Sequence, residues 1–126
     1  MYKLRESKEH NNILYNRQMY WINIQNQLLH LDFNIASIGF KYWIKAIDVY
    51  KKDGWRYGFT MEYLYNVIAD SFQTTRNRVE RAMRTASQTA KKTIAKEYKY
   101  NGKLSTKAIL ELLSNYYIEN HIPKID

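Results

Sequence analysis

A chain of 126 residues with 45% hydrophobic side chains is long enough for one buried core, and its net charge of +8 calls for an anionic partner. It has no cysteine, which excludes a disulfide framework, a cysteine-bound zinc and a thiol nucleophile. No apolar run approaches the roughly 18–20 residues of a membrane span, and no signal peptide opens the chain, so a cytoplasmic, nucleoid-associated protein is expected.

One proline and four glycines in the whole chain favour an all-α single domain, since neither a strand pattern nor a glycine-rich nucleotide loop is visible. Residues 1–30 read as a polar arm followed by an amphipathic helix, and residues 31–126 as the domain proper. The first dozen residues are expected to fray. From about Asn12, Leu14, Trp21, Ile24, Leu28 and Leu31 form one apolar stripe, interrupted by Gln18. The stripe predicts packing on the domain's own core, with a dimer seam over Trp21–Leu28 as the alternative.

A helix is predicted over Ser37–Lys52, burying Ile38, Trp43, Ile44, Ile47 and Tyr50 and stopping at Gly54. Trp55, Tyr57 and Phe59 follow in a connection. Alternating with Arg56 and Gly58 they resemble a stacking platform for single strands, but anchoring of the loop to the core is the simpler expectation.

Thr60–Arg84 then reads as helix, turn, helix. Thr60 is a good N-cap for a first helix through Leu64, Val67, Ile68 and Ala69. Gln73-Thr74-Thr75 breaks the period where glycine is common, and Thr75 can cap a second helix that buries Val79, Ala82 and Met83. That leaves Asn77, Arg78, Glu80, Arg81 and Arg84 on or beside the outer face. Arginine can donate bidentately to guanine and glutamate can accept from cytosine, the mixture a recognition helix needs in the major groove. A solvated face in which Glu80 pairs with Arg84 is the bland alternative.

The second helix is expected to continue through Ala86, Ala90 and Ile94, carrying Lys91, Lys92 and Lys96 as a phosphate-binding ridge. Residues 72–103 hold nine Lys/Arg against two Asp/Glu, so nearly all of the excess charge coincides with this region. A last helix starts at Ser105 or Thr106 and buries Ile109, Leu110, Leu112 and Leu113, with Tyr116 nearby and Pro123 beyond its end. His10, His30 and His121 are scattered, with no acid–base or metal spacing, so neither an enzyme nor a metal or other cofactor is expected.

The stretch LYNVIADSFQTTRNRVERAMR, with GFKYWIKAI at residues 39–47 upstream, resembles the DNA-binding effector domain of the sporulation master response regulator (stage 0 sporulation protein A). The family pattern is close to GY-x-YL-x-x-AI, then LYPAIA-x-x-(Y/F)-x-TT-x-x-RVERAIRHAI. The match is nearly unbroken at Thr74-Thr75 and from Arg78 to Arg84, and a weaker one covers Asn101–Leu113. The resemblance implies sequence-specific binding of double-stranded DNA and assigns Arg78, Glu80, Arg81 and Arg84 to base edges. Thr75, Asn77, Lys91, Lys92 and Lys96 are assigned to phosphates by position and charge.

The family carries a receiver domain before this one. Thirty residues cannot fold as a receiver, so Asp32, Asp48 and Asp53 are not expected to be phosphoacceptors. The region between the last two helices is shorter here than in the family, which puts the carry-over of a contact with RNA polymerase sigma factor in doubt. The expected role is transcriptional regulation, as a homodimer or as tandem protomers on DNA, with the monomer as the competing outcome. The alternatives are a DNA-binding accessory of a mobile element, such as a plasmid partition or replication protein or a phage repressor, and an antagonist of a full-length sporulation regulator. Neighbouring genes would separate these.

Overall fold

The computed structural model describes the backbone of residues 2–121 and the side chains of residues 16–114. Over that span there are six helices and no strand: α1 (Tyr2–His30), α2 (Ile38–Asp53), α3 (Met61–Phe72), α4 (Arg76–Gln88), α5 (Lys91–Glu97) and α6 (Thr106–His121). The Leu14 and Tyr116 side chains, and Pro123, lie outside the described residues.

Helix α2 is the hub, packing on α1, α3, α4 and α6, and its contact with α4 is the most extensive. Ser37 caps it by accepting a hydrogen bond from the Gly39 amide at 3.1 Å. Phe40, Trp43, Ala46 and Ile47 recur every three to four residues and are buried. The Trp43 indole N–H donates to the Met83 carbonyl at 2.8 Å, a buried bond that fixes α4 against α2. Gly39 lets the two backbones meet: a Cβ there would lie 2.1 Å from the Ala82 carbonyl oxygen and 2.8 Å from the Ala86 Cβ.

Several expectations are corrected. Helix α1 begins at Tyr2 rather than near Asn12, as no glycine or proline interrupts the first thirty residues. The α1 stripe packs on the domain's own core as expected: Ile24 and Leu28 have no exposed surface, alongside Leu31 and Phe33, and Trp21 is half-buried against them. Ile38 is 53% exposed, because the inward face of α2 is taken by Phe40 and Trp43 instead. Gly54 ends α2 in a right-handed conformation, its amide donating to the Tyr50 carbonyl at 2.7 Å, and not in the left-handed one. Trp55, 81% exposed, and Tyr57, fully exposed, do not pack on the core, though the Trp55 indole N–H donates to the Lys52 carbonyl at 2.8 Å; Phe59 packs inward, its ring edge-on to Tyr50 and Tyr63. The helix after Arg84 is also not continuous. It breaks at Thr89–Ala90, where the Thr89 hydroxyl donates to the Asp32 carbonyl at 2.8 Å and the Thr93 hydroxyl to the Asp32 carboxylate at 2.5 Å. These bonds clamp the junction onto the turn that follows α1.

Candidate nucleic-acid interface

Helices α3 and α4 form a helix-turn-helix whose ends are set by threonine caps. The Thr60 hydroxyl accepts from the Tyr63 amide at 3.0 Å, and the Thr75 hydroxyl from the Arg78 amide at 3.3 Å. Between them Gln73 takes the left-handed conformation, φ 54° and ψ 50°. This is the glycine position of the motif, filled here by a residue with a side chain. The Thr74 amide then closes back on the Ala69 carbonyl at 2.9 Å, satisfying a carbonyl at the end of α3.

Burial orients α4. Val79, Met83, Ala86 and Ser87 face inward, and Ala82 is half-buried against α2. At 3.6 residues per turn, each residue advances about 100° around the axis. The side opposite the buried stripe is therefore centred on Asn77, Arg81, Arg84 and Gln88, all exposed. Arg78 and Thr85 are exposed on the flank toward the start of α2, where with Ser37, Ile38, Tyr42, Thr74, Arg81 and Ala82 they line a shallow groove.

Glu80 lies on the other flank, toward α3. Burial raises the Tyr65 phenol above its ordinary value and the Glu80 charge raises it further, while a Thr106 hydrogen bond and Arg84 act in the opposite direction. Among the described residues there is no ion pair between Glu80 and Arg84; the ion pair at this motif joins Arg76 to Glu62 at 2.6 Å. The base-edge candidates thus share one exposed surface, with Arg81 and Arg84 near its centre and Arg78 and Glu80 on opposite sides. Thr75 is engaged as a cap, with its side chain exposed.

Lys91, Lys92 and Lys96 are on α5, a separate helix. Lys92 and Lys96 are exposed and Lys91 is half-buried, with Ile94 fully buried beneath them. Two further exposed residues of α4 lie beside these candidates without having been assigned from the sequence: Thr85, in the groove with Arg78, and Gln88. Gln88 continues the i, i+4, i+7 row from Asn77 through Arg81 and Arg84, so helical period alone places it on this face.

Among the described residues, no cluster of three or more histidines or carboxylates could hold a metal, and no helix is long and apolar enough to cross a membrane. Compared with known proteins, residues 24–107 match the family model described as "Sporulation initiation factor Spo0A C terminal". No curated protein matches the chain.

Proposed function

The chain belongs to the Spo0A C-terminal family, a family of DNA-binding domains, and from that premise we propose that it reads specific double-stranded DNA sites as a transcriptional regulator. The observation that carries the reading is the surface of α4. A capped helix is pinned to α2 by Gly39 and Trp43, and it presents Asn77, Arg81, Arg84 and Gln88 outward from a chain of net charge +8. A helix held rigidly on its inner face and rich in arginine on its outer face fits the major groove and its guanine edges.

In this reading the domain of residues 31–126 does the binding, and the helix within residues 1–30 supports it through Ile24 and Leu28. Helix α3 supports and α4 enters the groove. Arg78, Arg81 and Arg84 donate to bases, and Glu80 accepts from a cytosine amino group at the edge of the contact. Thr75, Asn77, Lys91, Lys92 and Lys96 meet phosphates on either side. Protomers bind DNA as a homodimer or in tandem, with the monomer as the competing outcome.

The test compares two duplexes at one salt concentration, one selected from a random pool by the full chain and one with its sequence scrambled. Arg81→Ala is expected to cost roughly 1–3 kcal/mol on the selected duplex, and much less on the scrambled one. Glu80→Ala is expected to lose selectivity while non-specific binding holds or rises, since a negative charge near phosphates is removed. Equal losses on both duplexes would take that residue out of the base-reading set.

A further inference from the structure

Ile38 is an apolar side chain left more than half exposed beside the arginines of α4, and nothing in the packing of the domain requires it there. It follows the α2 cap directly and precedes Gly39, the residue that brings the backbone of α2 onto Ala82. That close approach puts Ile38 in the groove wall with Thr74, Arg78, Arg81 and Thr85, on the same side of the molecule as the outer face of α4. A polar residue at this place would be the ordinary choice for a surface next to two guanidinium groups.

We propose that Ile38 is a specificity-determining residue that packs against the 5-methyl group of a thymine flanking the base pairs read by Arg78 and Arg81. The proposal rests on the DNA-binding reading given above. The occupant follows from the lining of the groove. Its two arginines suit an anionic polymer, and its Ile38 and Ala82 walls suit a small apolar group carried on that polymer. In a DNA major groove the thymine methyl is that group, and apolar side chains distinguish it from the edges of the other bases. It projects near the sugar–phosphate wall, which matches the position of Ile38 on the flank of α4 rather than on its outermost row.

The prediction is a chemical coupling between one protein methyl cluster and one DNA methyl. The full chain and its Ile38→Ala variant are titrated against the duplex selected from a random pool, and against copies in which single thymines are replaced by deoxyuridine. Removing one buried methyl changes an equilibrium constant by a factor of about four. The parent chain should lose about that factor at one thymine next to the arginine-read step, and Ile38→Ala should lose little or nothing more at that thymine while responding normally at the others. Because Ile38 is exposed, the variant keeps the parent's circular-dichroism spectrum and melting temperature. Selective binding by the parent with the two changes multiplying independently at every thymine overturns this proposal and leaves the DNA-binding reading standing. Failure of the parent to prefer any selected duplex overturns both.

Discussion

Replacing Gly39 by alanine tests whether the α2–α4 contact determines the placement of the candidate site. The added Cβ would lie 2.1 Å from the Ala82 carbonyl oxygen and 2.7 Å from its carbon, both backbone atoms that cannot rotate away. Ordinary contact begins at 3.4 Å, so the helices must part by roughly 1.3 Å at this point. Overpacking of this kind costs about 1–3 kcal/mol, and stretching the Trp43–Met83 hydrogen bond adds up to about 1.5 kcal/mol. Against this, alanine is favoured over glycine in a helix by about 1 kcal/mol. At the middle of these ranges the clash wins, and a net loss of about 2 kcal/mol is expected. Urea denaturation should show a midpoint lowered by about 1–2 M with little change in slope. A Gly39→Ala midpoint equal to or above the parent's would mean that helix propensity dominates and that α2 does not hold α4 as described.

Three further outcomes are expected. Gln73 occupies the left-handed region at φ 54°, so Gln73→Gly should stabilise the fold by up to about 1 kcal/mol, read as a rise in melting temperature with no change in DNA binding. Burial lowers the Lys51 ammonium to about 8, with the Asp48 charge partly opposing the shift. Between about pH 8 and pH 10.5 the unfolded chain then binds this proton more tightly than the fold does, and stability rises with pH across that window; Lys51→Met should flatten the rise. From pH 10 upward the raised Tyr50 and Tyr65 phenols oppose that rise, because they keep protons that the unfolded chain gives up, and beyond about pH 10.5 the sign reverses. If Lys91, Lys92 and Lys96 each neutralise a phosphate, alanine at each should reduce the slope of log K against log salt by about 0.9 and weaken all duplexes alike. Unchanged slopes in all three variants would make them a solvated face.

What could be read directly from the residues is what local chemistry controls. Thr60 and Thr75 cap their helices because a hydroxyl three residues ahead of an unpaired amide does so wherever the backbone allows it. Val79 and Met83 turn inward because their spacing matches the helical period, and Arg81 and Arg84 turn outward for the same reason. What escaped depends on partners distant in the chain. The break between α4 and α5 is made by Thr89 and Thr93 bonding to Asp32, 57 and 61 residues away. Ile38 has the composition of a core residue, and only the packing of α2 decides that Phe40 is buried in its stead. The place of Glu80 on the α3 flank of the candidate surface, like the row extending to Gln88, emerges once the buried side of α4 is known.

The most direct test of the account is a binding titration of the unmodified chain at one fixed, near-physiological salt concentration. One duplex is selected from a random pool by the chain itself, and the other is the same composition scrambled. Specific recognition through α4 predicts a preference of about a thousand-fold or more for the selected duplex. Equal affinity for the two, with both isotherms collapsing together as salt is raised, would leave only a basic surface meeting phosphates and would contradict the assignment of α4 as a recognition helix.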